Sequence, residues 1–301
     1  MQFLIIVVLA FAPGIFWLWL VYRRDRYRPE PRSLVVRTFL WGMVVAIPVA
    51  ALESFLIWLA DPDSFFSATS GTLSLATAAY MSFVVAGLTE ELGKYAVVRR
   101  TVYGSPYFDE PMDGLVYSSA AALGFASLEN FGYLLSFGWE LILIRGPYST
   151  LAHVLFAAMW GYPLGLSKIR EGGARRLVWF GLIGSMIAHG LFDFLLFTGG
   201  IYSLLSVSVF LASGVLFIMM LRRARQLSPF KTMIGELLVA CPQCGQQVPY
   251  YASFCAKCGQ SLAGVKQNGL VFCGKCGVAL NRAAAFCTSC GSRLLRKPFG
   301  S

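Results

Sequence analysis

Charged residues are scarce in this sequence. Asp, Glu, Lys and Arg make up only 13% of its 301 residues, while 57% are hydrophobic and the mean hydropathy is +0.64. A soluble domain usually carries about 25% charged residues. This deficit excludes an ordinary soluble enzyme. It predicts an all-α polytopic membrane protein.

The first 240 residues contain no cysteine, and the last 80 contain almost no acidic residues. All eight cysteines follow residue 240, and residues 222–301 hold 11 Lys/Arg but a single acid, Glu236. That tail accounts for 11 − 1 = +10, the whole formal net charge. The sequence therefore predicts a helical membrane domain over residues 1–225, a linker over 226–240 and a separate module beyond it.

The apolar runs predict seven transmembrane helices, since about 20 apolar residues cross a bilayer. They lie at residues 2–21, 34–60, 74–98, 112–136, 149–169, 177–198 and 202–221. The first lacks the basic start of a signal peptide, so we interpret it as an anchor. Basic loops follow the first, third, fifth and seventh runs, which places the N-terminus outside and the tail in the cytoplasm of a prokaryotic plasma membrane.

Ionisable residues interrupt five of these runs, where a charge is costly and usually functional. The chain has only two histidines, and both lie in these runs. Glu53, in the second run, is interpreted as a structural or supporting residue. The candidate site residues are Glu90, Glu91 and Lys94 in the third run, Glu129 and Asn130 in the fourth, His153 in the fifth, and His189 and Asp193 in the sixth.

Such residues could form structural salt bridges, but four clusters on successive helices favour a reaction centre or an ion pathway. A desolvated glutamate can act as a general base on water, and a His–Asp pair fixes an imidazole. Together these residues could hydrolyse an amide bond. An additional metal ion bound by His153, His189 and a glutamate would be one way to do so. A proton- or ion-coupled transporter, or a non-catalytic scaffold, remains an alternative.

Familiar signatures of other intramembrane proteases are missing. The sequence contains no H-E-x-x-H zinc motif, no G-x-S-G serine motif and no G-x-G-D aspartyl motif. If the chain cleaves peptide bonds, its glutamates must therefore carry the reaction.

Four motifs in order resemble one family. "EELGK" fits E-E-x-x-K, "FASLEN" fits F-x-x-x-E-N, and His153 and "HGLFD" follow. Over residues 1–225 the chain resembles the PrsW family of intramembrane proteases, distant relatives of the CAAX prenyl proteases. The resemblance implies cleavage of single-span, membrane-anchored substrates such as anti-sigma factors, with the eight candidates above as catalytic residues. Which glutamate is the base, and whether a metal is needed, stay open.

The tail contains an internal repeat with an offset of 32 residues. Each copy reads C-x-x-C, ten residues, then C-x-x-C, a spacing that brings four thiolates to one tetrahedral Zn²⁺. The predicted structural zinc ligands of the two ribbons, 241–259 and 273–291, are Cys241, Cys244, Cys255 and Cys258, and then Cys273, Cys276, Cys287 and Cys290. Residues 260–272 would link them.

The tail resembles the double zinc ribbon modules of many prokaryotic proteins. Its basic surface suits the anionic cytoplasmic leaflet, which we prefer to nucleic-acid binding. We expect the ribbons to bind a cytoplasmic protein partner or to regulate the membrane domain.

Overall fold

Seven helices form the membrane domain in the computed structural model, which describes residues 2–25, 27–60, 74–169, 174–230, 238–249, 254–262, 270–272 and 279–281. Five helices are α1 Gln2–Tyr22, α2 Arg32–Ala60, α4 Pro111–Phe137, α6 Ala174–Thr198 and α7 Gly200–Leu227. α3 runs through Leu75–Ala79, a π-helical segment Tyr80–Leu88 and Thr89–Thr101. α5 runs through Trp139–Leu141, Ile142–Ile144, a π-helical segment Arg145–Ser149 and Thr150–Leu166.

In the part of the chain that the structure describes, five helices are long and apolar enough to cross a membrane by length and composition. These spans are Phe3–Tyr22, Arg32–Ala60, Trp139–Leu166, Arg175–Thr198 and Gly200–Leu227. The other two predicted spans form the helices α3 and α4, which contain the ionisable and small residues. The predicted all-α fold with about seven helices is confirmed.

The fifth helix begins earlier than the sequence predicts. We expected a span over residues 149–169, with His153 near its outer end. The structure instead starts α5 at Trp139 and ends it at Leu166, so His153 lies near the middle. The polar "RGPY" at residues 145–148, which precedes the predicted span, continues the helix as a π segment.

α4 is the central helix of the bundle and contacts α1, α2, α3 and α5. Every residue from Pro111 to Ser127 is buried, and most are Gly, Ala or Ser. Small residues let helices approach closely where lipid supplies no hydrophobic drive. A Cβ added at Gly114 would lie 2.0 Å from the carbonyl oxygen of Gly161 in α5, so these two helices meet backbone to backbone.

The basic connections gather at one end of the bundle. Arg28, after α1, forms an ion pair with Asp109, before α4. Lys168, after α5, donates a hydrogen bond to the carbonyl of Tyr103 at 2.6 Å. Arg225, in α7, donates to the carbonyl of Arg24 at 2.8 and 3.0 Å. This is the arrangement that an alternating helical topology requires.

The tail contains two antiparallel hairpins. β1 Leu238–Ala240 pairs with β2 Gln247–Pro249, and β3 Leu270–Phe272 pairs with β4 Ala279–Asn281. Their positions differ by 32 residues, as do the sequence repeats. The contacts divide the chain into two compact units, Met1–Arg225 and Gln226–Ser301.

We predict that Gly114→Ala destabilises the membrane domain. The new methyl group would overlap backbone atoms of α5, and overpacking of this kind costs roughly 1–3 kcal/mol. Thermal unfolding in detergent would measure the loss. The matched control is Gly132→Ala in the same helix, because no heavy atom lies within 4 Å of that Cβ position. Equal unfolding temperatures for the two variants would contradict the close α4–α5 contact.

Candidate functional site

Helices α3 and α6 approach closely just before the Glu pair. The π-helical segment of α3 ends at Leu88, and glycine at position 87 lets the two backbones meet. A Cβ added at Gly87 would lie 2.6 Å from the carbonyl oxygen of Met186. The turn that follows therefore presents Glu91 directly to Ser185 and His189 of α6.

The Lys94 ammonium lies at the centre of the ionisable cluster. Its Nζ is 2.9 Å from Glu90 Oε2, 2.9 Å from Glu91 Oε1 and 2.8 Å from His153 Nδ1. The side chain is fully buried, and Nζ also lies 4.6 Å from the centroid of the Phe125 ring. Glu90 and Glu91 lie four and three residues before Lys94, which places both next to it on the surface of α3. Because the same ammonium contacts His153, it links both acids to α5.

Glu91 is fully buried and has partners on both oxygens. Oε2 accepts hydrogen bonds from Trp160 Nε1 at 3.0 Å and Ser185 Oγ at 2.7 Å. Oε1 contacts Lys94 and lies 3.1 Å from His189 Nδ1. This carboxylate is held by three helices and has no side open to the cavity described below.

Glu90 faces both histidines and a cavity inside the bundle. Its Oε2 is 3.6 Å from His153 Nδ1 and 3.9 Å from His189 Nε2, and one donor atom from each residue lies within 4.8 Å of the others. The cavity has a volume of about 690 Å³. Arg145 and Tyr133 line this cavity. Six other ionisable side chains, from α2 to α6, also line it: Glu53, Glu90, Glu129, His153, His189 and Asp193.

The remaining predicted residues surround this centre. His153 Nε2 lies 3.0 Å from Glu129 Oε2, and His189 Nε2 lies 3.4 Å from Asp193 Oδ2. Asn130 is buried beside α5, where its Nδ2 donates to Thr150 Oγ1 at 2.9 Å. All eight predicted side chains therefore meet in one region, although Glu91, Lys94 and Asn130 do not line the cavity.

Several residues of the site were missed by the sequence analysis or given a lesser role. Arg145 Nη2 lies 3.0 Å from Glu129 Oε1, and Arg145 Nε donates to Asn130 Oδ1 at 2.9 Å. Arg145 is the one basic residue between the predicted fourth and fifth spans, and that was the available signal. Trp160 and Ser185, which hold Glu91, gave no signal because both types are ordinary in membrane helices.

Glu53, which we expected to be structural or supporting, lines the cavity and accepts a hydrogen bond from Thr89 Oγ1 at 3.0 Å.

The donor set around Glu90 fits a metal ion. Two imidazoles and one carboxylate form a common catalytic zinc set. The second nitrogen of each ring faces a carboxylate, Glu129 for His153 and Glu91 for His189, which is how metal-binding histidines are usually oriented. The Lys94 ammonium faces the same His153 nitrogen as a metal would, so the two cations would compete for it.

Four cysteines of the first ribbon converge in the tail. The Sγ atoms of Cys241, Cys244, Cys255 and Cys258 lie within 4.8 Å of one another. The Cys241–Cys258 and Cys244–Cys255 pairs are 3.6 Å apart, close to the spacing of about 3.8 Å for sulfurs around a tetrahedral Zn²⁺ with 2.3 Å bonds. The other four predicted ligands, in residues 273–290, lie outside the described residues.

The turns that carry these cysteines have the expected glycines. Gly245 and Gly259 adopt φ values of +69° and +72°, a left-handed conformation that favours glycine. Their N–H groups donate to the carbonyls of Cys241 and Cys255 at 2.9 Å. A hydrogen bond from the backbone of Cys258 lowers the pKa of the Cys255 thiol to about 6, so its metal-binding thiolate form is favoured at neutral pH.

Comparison with known proteins identifies the membrane domain. Residues 30–222 match the model of the "PrsW family intramembrane metalloprotease". The chain belongs to the PrsW family. It is 36% identical to Protease PrsW of Geobacillus kaustophilus, over 62% of this chain and 76% of the relative, and 31% identical to Protease PrsW of Bacillus subtilis, over 68% and 90%. A third relative, from Clostridioides difficile, is 31% identical over 64% of this chain and 78% of its own length.

The tail matches a second family model. Residues 241–293 match the "Double zinc ribbon". The predicted PrsW membrane domain with zinc ribbons is therefore confirmed, and the chain is an integral membrane protein of an intramembrane protease family. No solved structure matches it.

We predict that Lys94→Met is strongly destabilising. It would leave Glu90 and Glu91 without their shared cation, and removing one partner of a buried ion pair costs about 3–5 kcal/mol. Thermal unfolding would reveal the loss. Lys168→Met, at an exposed lysine of the same domain, should cost no more than about 1 kcal/mol. A Lys94→Met protein as stable as the control would argue against the central ion cluster.

Proposed function

We propose that the chain is an endopeptidase that hydrolyses peptide bonds of single-span, membrane-anchored proteins within the bilayer. The observation that carries this proposal is the convergence of Glu90 Oε2, His153 Nδ1 and His189 Nε2 at the wall of a cavity of about 690 Å³ inside the bundle. Membership of the PrsW family supports the same reaction.

Glu90 and Glu91 have different roles in this proposal. Glu90 faces the cavity and is the acid that meets the reacting atoms, where its Oε2 accepts a proton from the attacking water. Glu91 is a positioning residue, because both of its oxygens are occupied by Lys94, His189, Trp160 and Ser185. Lys94 stabilises the negative charge of both acids in a medium where isolated carboxylates would be protonated.

In the metal-assisted form of this proposal, an ion would be held by Glu90, His153 and His189, and Glu90 would then act as a ligand instead of accepting a proton. When bound, such an ion polarises the peptide carbonyl and makes water more acidic. Glu91 and Glu129 orient the two imidazoles through their second nitrogens. Asp193 adds a carboxylate beside His189 at the cavity wall. Asn130 binds Arg145 and Thr150, so it orients Arg145 rather than contacting substrate.

The cavity suits a peptide segment taken from the membrane. One part of its wall is apolar, formed by α2, α3 and α4 residues such as Ala46, Ile47 and Leu128, and another part carries the ionisable groups. A site of this size can enclose several residues of an extended chain and a few water molecules. We infer that the apolar wall holds substrate side chains while the polar wall meets the scissile bond.

The remaining assignments complete the proposal. The basic end of the bundle is cytoplasmic, the N-terminus lies outside, and residues 226–240 link the membrane domain of a bacterial plasma-membrane protein to its ribbons. Ribbon 1 (241–259) and ribbon 2 (273–291), joined by 260–272, each bind one structural Zn²⁺. A cytoplasmic protein partner binds them, or they regulate cleavage. Anti-sigma-factor-like proteins are our model substrates.

We predict that Glu90→Gln lowers proteolysis by a factor of about 10² to 10⁴, because the variant keeps its shape but cannot accept a proton. Cleavage of single-span substrates in proteoliposomes would measure the loss. Glu90→Gln and Glu91→Gln should both lower the unfolding temperature, since each carboxylate is paired with Lys94, so cleavage is compared at a temperature where both variants are folded.

The control is Glu140→Gln, which removes an exposed carboxylate elsewhere in the domain. Full cleavage by a folded Glu90→Gln protein would contradict the role of Glu90. If the same substitution instead abolished a proton flux across the liposome, a transporter would replace the peptidase.

We predict that the full-length protein binds one metal ion beyond its ribbon zinc. His153→Ala and His189→Ala should each lower the metal content by about one ion per chain, because each removes one of three donors. Elemental analysis of the desalted protein would give the count. Cys255→Ser serves as the opposite control, because it should lose ribbon zinc alone. Equal metal contents in the wild type and both histidine variants would contradict a metal at Glu90, His153 and His189.

A further inference from the structure

Three carboxylates outside the candidate active site converge at the basic end of the bundle. Asp25 and Glu30 lie in the connection between α1 and α2, and Asp113 lies in the first turn of α4. One oxygen of each lies within 4.8 Å of the others. The residues are only 5%, 3% and 0% exposed, so water does not compensate their charges. We call them the acidic triad.

Two oxygens of the acidic triad are buried without a hydrogen-bond partner among the described residues. These are Asp25 Oδ2 and Asp113 Oδ1. The second oxygen of Asp113 accepts the N–H groups of Asp109 and Glu110 at 2.7 and 2.8 Å, which leaves Oδ1 facing the triad. A buried carboxylate oxygen without a partner is costly, and such atoms usually mark a bound water or ion.

The nearby donors do not balance this negative charge. Tyr117 donates its hydroxyl to Glu30 Oε2, and Arg28 forms its ion pair with Asp109. Glu30 and Asp113 are also within hydrogen-bond distance of each other, so a shared proton could relieve that one pair. A proton between them would still leave Asp25 Oδ2 without a partner.

We propose that Asp25, Glu30 and Asp113 bind a hard divalent cation, Mg²⁺ or Ca²⁺. All the donors are oxygens, which are the ligands that both ions prefer. Two oxygens that each lie about 2.3–2.6 Å from one Ca²⁺ can be up to about 5 Å apart, so the triad can meet at one ion. Around Mg²⁺ the limit is about 4.2 Å, which requires a slight contraction.

Such an ion would join the α1–α2 connection to the start of α4. That helix carries Glu129 and Asn130 near its other end, so the cation would fix the helix on which part of the catalytic centre lies. The site is separate from Glu90, His153 and His189, and its occupation does not depend on the reaction proposed above.

The test uses the full-length protein in lipid nanodiscs, prepared free of Ca²⁺ and Mg²⁺ with free Zn²⁺ held constant. CaCl₂ and MgCl₂ are added in separate titrations, with bound ion measured by equilibrium dialysis and unfolding followed thermally. We expect one ion per chain and a rise in unfolding temperature of about 5 °C at saturation. The titration that saturates identifies the ion.

Asp25→Asn and Asp113→Asn should lose both the bound ion and the rise. Without added ions they should unfold at the same temperature as the wild type or a higher one, because a repelling charge has been removed. A purely structural role would instead lower their stability in every buffer. Glu140→Gln, the exposed control, should bind as the wild type does.

The proposal is overturned if the wild type binds neither ion, or if both Asp variants bind it as well as the wild type. Stabilisation by acid alone, without bound ion, would also overturn it and would indicate a shared proton.

Discussion

The buried Lys94 ammonium is the interaction on which the membrane domain depends. It is the cation that both acids of the Glu pair contact on α3, and it also reaches His153 on α5. Isolated charges are too costly to hold in a bilayer, so the cluster exists only as a whole. Packing of the helices therefore also positions the site residues, because α3, α5 and α6 cannot separate without exposing unpaired charge to hydrocarbon.

Much of the fold could be predicted because membrane constraints are strong. Apolar length predicts the seven helices, and cysteine spacing predicts the ribbon in which residues 241–249 and 254–262 bring four sulfurs together. The start of α5 could not be predicted, because "RGPY" has the composition of a loop. Only its packing makes it helical, since the Gly146 carbonyl accepts a hydrogen bond from Trp17 Nε1 of α1 at 3.0 Å.

The candidate site was predictable as a set of residue types but not as a geometry. Ionisable residues in apolar helices stand out in any sequence, so the eight candidates could be singled out before the bundle showed that they lie close together. The difference between Glu90 and Glu91 depends on Trp160 and Ser185, which lie 69 and 94 residues from Glu91 along the chain. Partners at that separation leave no local pattern. Glu53 was underestimated for the same reason, since only the packed bundle brings α2 to the cavity wall.

The two π-helical segments also limit how the chain length can vary. Each lies immediately before site residues, Tyr80–Leu88 before Glu90 and Arg145–Ser149 before His153. A π turn holds one residue more than an α turn, and losing one residue would rotate the following helix by about 100°. Deletion of a single residue in either segment would thus turn the candidate site residues that follow it toward lipid. The number of residues in each π-helical segment is therefore constrained, whichever residues occupy it.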